Sequence, residues 1–215
     1  MSHASGSLLR NWKRMNISDE GWELLRAYGM DDIFVSAWCK GLSVQGAASR
    51  LRADQRSAAL CTWENIEDDL DPTLPREGVV WIGSQAPGWV QIIQFEGDHL
   101  ALPAPQQALT ADGGELLYLG WPLRELEGPE DLEYVVDGRS TTSVCLVEPS
   151  VRAGRDPDAL KAHMEGLSLG IDNDPDAISD AAFSLVGRVT GRLMDADWLQ
   201  AAHTRYIIPI GAWDM

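Results

Sequence analysis

Residues 89 to 96 read WVQIIQFE, and this stretch constrains the fold more than any other in the chain. Side chains alternate across a strand, so Trp89, Gln91, Ile93 and Phe95 share one face while Val90, Ile92 and Gln94 share the other. Both faces are mostly apolar. Such a strand needs cover on both sides, because apolar area left in water forfeits the ~25 cal/mol per Å² gained on burial. Trp89, and Trp81 with it, are therefore expected in a core rather than on a ligand platform. DIFVSAWCKG (32–41) makes the same demand, with Ile33, Val35, Ala37 and Cys39 alternating against Phe34, Ser36 and Trp38.

The middle of the chain continues in strand-like runs. ALCTW precedes an acidic loop, ENIEDDLDPTLPREG (64–78), and VVWIG, GELLYLGWP, DLEYVVDG and STTSVCLVE follow. Asp137-Gly138 between two such runs predicts a tight hairpin, since that turn needs left-handed backbone that Gly tolerates and Asp accepts. Helices flank this region. Ser18 is placed to cap a helix carrying Trp22, Leu25 and Tyr28 on one face, ended by Gly29. Ser43 caps a short helix with Val44, Ala47, Ala48 and Leu51 inward, and Arg50, Arg52 and Arg56 outward. DPDALKAHMEGL and DPDAISDAAFSLVGRVTGRL both open with Asp as N-cap and Pro at the first helical position. Ile178, Ala181, Ala182, Leu185, Val186 and Val189 trace the apolar face of the longer one. Asp195 caps a third helix, and RYIIPIGAW returns as an edge strand, with Pro209 excluding it from a central place. The expected fold is α+β: a mainly antiparallel sheet of five to six strands with helices packed on it and a helical C-terminal segment. Residues 1–17 read as a flexible basic arm and 18–215 as a single domain, with the first helix loosely attached.

No window is long and apolar enough for a transmembrane helix, and the N-terminus lacks a secretion pattern, so a soluble, cytoplasmic protein without membrane association is expected. The 215 residues carry a net charge of −16. Residues 1–56 hold 8 Lys/Arg against 6 Asp/Glu, whereas residues 57–215 hold 9 against 27. A field of that sign repels phosphate backbones and excludes nucleic-acid binding through the main body.

Motifs that carry chemistry are sparse. Cys39, Cys61 and Cys145 form no paired-ligand spacing and read as reduced, mostly buried thiols. His3, His99, His163 and His203 never occur at metal-ligand spacing, and His203 is placed to meet carbonyl groups at a helix end. GIDNDPDA lacks the Gly and the final Glu of a calcium loop. No nucleophile-elbow or phosphate-cradle motif is present, and no cofactor or catalytic residue is expected. Two carboxylate clusters remain: Glu64, Glu67, Asp68, Asp69 and Asp71, and Glu125, Glu127, Glu130, Asp131 and Glu133. Trp121, at a strand end before Pro122, is the tryptophan expected to be partly exposed.

FVSAWCKGLSVQGAASRL, GWVQIIQFEG, EYVVDGRSTTSVCLVEPSVRAGRDPDAL and LVGRVTGRLMDADWL together resemble an uncharacterised actinobacterial domain-of-unknown-function family. Asp137, Gly138, Asp156, Pro157, Leu160, Thr190, Gly191 and Trp198 occupy its hairpin, DPxxL and TGxxL positions. The resemblance spans roughly residues 32–199, and FEGDHLALPAP stands where that family has a more Asn/Gly-rich turn. It implies a fold and carries no chemistry.

The expected function is a non-enzymatic protein-binding domain whose acidic surface engages a basic protein, as an immunity protein, inhibitor or assembly component would. Glu125, Glu127, Glu130, Asp131, Glu133 and Trp121 are its candidate contact residues. The alternative is an enzyme or small-ligand binder with a site near Trp121, Tyr134 and Arg139.

Overall fold

A computed structural model describes residues 21–68, 70, 71, 73, 75–121 and 131–214. The proposed basic arm, the Ser18 cap and residues 122–130 lie outside them. A single antiparallel sheet organises the chain. Its strands are β1 (Phe34–Lys40), β2 (Asp54–Cys61), β3 (Arg76–Ala86), β4 (Trp89–Glu96), β5 (Glu115–Trp121), β6 (Asp131–Val136), β7 (Arg139–Cys145), β8 (Arg152–Ala153) and β9 (His203–Pro209). They lie in the order β2-β9-β3-β4-β1-β5-β6-β7-β8. Nine strands among the described residues exceed the expected five to six. The difference arises because β1, the two-residue β8 and β9 all join the strands of the 54–145 region in one sheet.

The central strands are covered on both sides, as WVQIIQF demands. Among the described residues the cover comes from helices α1 (Gly21–Ala27), α2 (Val44–Arg50), α3 (Pro103–Leu109), α5 (Pro175–Thr190) and α6 (Ala196–Gln200), and the short α4 (Lys161–Met164) packs on α5. One face of the sheet presents Phe34, Trp38, Trp81, Ile93, Leu117 and Trp121 to Leu24 and Leu25 of α1, Ile178, Ala182 and Leu185 of α5, and Trp198 of α6. The opposite face packs Val35, Ala37, Val80, Ile82 and Ile92 against Ala47 and Ala48 of α2, with Leu51, Leu100 and Leu109. Two polar members of these strands bond to each other in the core: Ser36 Oγ donates to the Ile92 carbonyl at 3.0 Å and Gln91 Nε2 donates to Ser36 Oγ at 3.2 Å, while Gln91 Oε1 is buried without a partner among the described residues.

Local signals place several of these elements. Ser43 Oγ accepts from Gly46 N at 3.0 Å, Asp174 Oδ1 from Asp176 N at 2.9 Å and Asp195 Oδ1 from Trp198 N at 2.8 Å, so α2, α5 and α6 begin at their caps. At the β6–β7 turn Asp137 and Gly138 adopt φ of 50° and 72°, the left-handed pair that the hairpin needs. That turn is also fastened to the end of α3, since Gly113 N donates to Asp137 Oδ1 and Gly138 N to Thr110 Oγ1.

Four expectations are corrected. Trp121 is not partly exposed: it is fully buried, with its ring 5.1 Å from Phe34 and 5.8 Å from Trp22, and Nε1 donating to the Asp31 carbonyl. Helix α1 is not loosely attached, because Leu24 and Leu25 are fully buried and Trp22 N donates to Asp180 Oδ1 of α5. Strand β9 is internal, paired to β2 and β3, and Pro209 is tolerated because it is the last residue of the strand. Asp156-Pro157 does not start a helix. The short α4 begins at Lys161; at Asp156 the chain makes a turn, with Ala159 N donating to the Asp156 carbonyl and Asp156 N to the Thr141 carbonyl of β7. Helix α3, with Pro103 in its first turn, has no counterpart in the expectations from sequence.

Candidate functional site

After β2 the chain leaves the sheet through Thr62 and Trp63 into the acidic segment. Trp63 turns inward, its ring 5.7 Å from Trp81 and 5.6 Å from Phe95, and its Nε1 donates to the Tyr28 carbonyl at 3.1 Å. Ile66 follows it into the core at 2% exposure. Arg205 of β9 reaches beneath the segment and donates through one guanidinium nitrogen to the carbonyls of Ile66, at 2.9 Å, and Asp68. Glu64, Glu67, Asp68 and Asp71 remain exposed on this anchored backbone. Among the described residues their carboxylates form no ion pair with Lys or Arg. Asp71 accepts from the Thr73 hydroxyl and N–H, and these bonds hold its carboxyl below the usual carboxylate range. Asp69 lies outside the described residues.

The second cluster is only partly visible. Asp131 is exposed at the start of β6 and Glu133 is half-buried, while Glu125, Glu127 and Glu130 lie outside the described residues. Trp121, grouped with them from sequence, faces the core.

Trp121, Tyr134 and Arg139 differ in setting: Trp121 is fully buried, Tyr134 is half-buried and Arg139 is exposed. Tyr134 sits opposite Leu117. Four residues of β5 therefore separate it from the level of Trp121, about 13 Å along the strand. Its hydroxyl donates to Glu115 Oε2 at 2.8 Å, and burial followed by the Glu115 carboxylate pushes the phenol's pKa up. Lys40 Nζ donates to the other oxygen of Glu115 at 2.8 Å and lies 5.6 Å from the Trp89 ring centroid. Lys40 and Glu115 line a cleft of about 300 Å³ together with Arg50 and the loop 111–114. Arg50 in turn donates to the Ala108, Leu109 and Ala111 carbonyls at the end of α3 and to Asp112. Arg139 is exposed opposite Val136, beside the hairpin turn.

Cys39, His99 and His203 lie in the interior. Cys39 is buried, and burial pushes its thiol up. His203 stacks on Trp198 at 4.1 Å and its Nε2 bonds the Trp198 carbonyl of α6 at 2.8 Å, so it meets a helix carbonyl as expected. Its charge is not favoured there, however, because burial lowers its pKa. His99 contacts Gln94 through Nδ1 at 3.2 Å and Glu77 through Nε2 at 3.5 Å. Among the described residues no three His, Cys, Asp or Glu side chains converge as metal ligands, and no helix is long and apolar enough to cross a membrane.

Arg205 and the Lys40–Glu115–Tyr134 chain were not anticipated. The signal for Arg205 was a single cation in the otherwise apolar RYIIP run. The Lys40–Glu115–Tyr134 contact joins three strands and leaves no local trace. No curated protein and no solved structure matches the chain, whereas a family model, that of a family of unknown function (DUF6461), matches residues 22–209.

Proposed function

The chain belongs to the DUF6461 family, and from that premise we propose that it is a non-enzymatic, cytoplasmic protein-binding domain whose acidic surface engages a basic partner, in an immunity, inhibitor or assembly role. The observation that carries this reading is the anchoring of the backbone that bears Glu64, Glu67 and Asp68. These carboxylates stand on a backbone pinned by Arg205, Ile66 and Trp63, so little ordering entropy opposes their use in recognition. The net charge of −16 would also steer a basic partner toward the protein from a distance. Affinity capture from native lysate at low and at high salt tests the proposal. Basic proteins should be retained at low salt, released at high salt, and lost when Glu64 and Glu67 are both replaced by Lys. Failure to retain any basic protein at low salt refutes it, because screening is weakest there.

The cleft at Lys40, Arg50 and Glu115 favours the alternative of a small-ligand binder or enzyme. Ligand-detected NMR against a library of small polar compounds would promote that alternative if binders are lost on Glu115→Gln.

A further inference from the structure

Strand β2 forms one end of the sheet: it pairs with β9, and no described strand pairs with its outer side. Exposed edges are templates for another strand, and proteins usually blunt them with Lys, Pro or a bulge. Here the protection covers only the first half. The register is irregular between Asp54 and Ala59, where Ser57 Oγ donates to the Asp54 carbonyl and accepts from Ile207 N. From Ala59 to Cys61 the pairing is regular again, with Leu60 opposite Thr204. Leu60 is 74% exposed, an apolar side chain at an open edge, without Lys or Pro beside it. Arg56, the cation of this strand, is engaged by Asp54 at 3.1 Å. Immediately beyond the edge stand the exposed carboxylates of Glu64, Glu67 and Asp68 on their anchored backbone.

We infer that the Ala59–Cys61 edge and the acidic turn after it form one docking site, which takes an extended basic segment of a partner protein as an added strand. The edge supplies backbone hydrogen bonds, Leu60 an apolar contact for one residue of the incoming strand, and the carboxylates a match for Lys or Arg at its end. This inference rests on the basic-partner reading and specifies where and how that partner binds.

The full chain is titrated with the synthetic peptide Lys-Val-Lys-Val-Lys-Val-Lys-Val, and with the same peptide N-methylated at alternate backbone amides. The methylated peptide keeps the charge and side chains but cannot pair with a strand. Expected are saturable binding of the first peptide at low salt, slowed amide exchange within residues 58–62, and about tenfold or greater weakening for the methylated peptide. Leu60→Lys, at an exposed position that the fold does not depend on, should weaken binding about tenfold or more, as should the Glu64→Lys, Glu67→Lys double variant. Equal binding of the two peptides, or protection at β6 instead, overturns the edge site while leaving the basic-partner reading standing. If neither peptide binds, both fall. A concentration-dependent dimer in light scattering that Leu60→Lys abolishes also overturns the inference, because the edge would then be occupied by a second copy of the chain.

Discussion

Replacing Arg205 by Met removes the guanidinium that ties the acidic turn to the sheet while retaining a long, unbranched side chain in a site only 5% exposed. The two bonds to the Ile66 and Asp68 carbonyls have a charged donor, and such bonds contribute about 1.5–3 kcal/mol each. Their joint loss is therefore about 3–6 kcal/mol before compensation. Compensation is real here, because Arg205 Nε is buried without a partner and an apolar replacement recovers part of the cost of burying the cation. A net destabilisation of about 2–4 kcal/mol results, which for a chain of this length lowers the thermal midpoint by about 5–12 °C. Calorimetry reads the midpoint, and amide exchange locates the damage: residues 62–68 should open selectively, with the β3–β4 pairing still protected. Affinity for a basic strand should fall in parallel, because the carboxylates would no longer be held in one arrangement. A midpoint within about 1 °C of the parent, with unchanged exchange in residues 62–68, would refute the anchoring argument.

Trp121→Ala should cost about 3–5 kcal/mol in denaturant titration, since it empties a fully buried site between Trp22 and Phe34. A cost below about 1 kcal/mol would mean that the indole is not buried in solution. Asp174→Ala should remove the cap of α5 at a cost of about 1 kcal/mol in the same assay, with Asp174→Asn close to neutral. His203 has its folded pKa lowered from the ordinary 6.5 by burial, so the unfolded chain binds a proton more readily. Its contribution is fully present above 6.5 and is lost as pH falls from there toward the lowered folded value. The thermal midpoint should therefore drop more between pH 7.5 and 5.5 in the parent than in His203→Gln, and equal drops would contradict the assignment.

Sequence alone determined those features whose cause lies within a few residues. Ser43, Asp174 and Asp195 cap their helices because a side-chain oxygen needs only the next two or three backbone N–H groups. Asp137-Gly138 turns the chain because both residues tolerate positive φ. WVQIIQF had to be covered on both faces wherever it paired. The same local logic failed at Asp156-Pro157, where the chain makes a turn, Ala159 N donating to the Asp156 carbonyl, and helix begins only at Lys161. Tertiary structure decided everything that depends on which distant segments meet. It seated β9 between β2 and β3, although Pro209 suggested an edge. It closed Phe34 and Trp22 over Trp121, although a following proline suggested exposure. It also brought Arg205 beneath a turn that precedes it by 137 residues or more, and left β2 rather than β9 at the rim of the sheet. Local composition cannot encode those choices, because strand neighbours and core contacts are set by the packing of surfaces far apart in the chain, where the same residues could have met different partners.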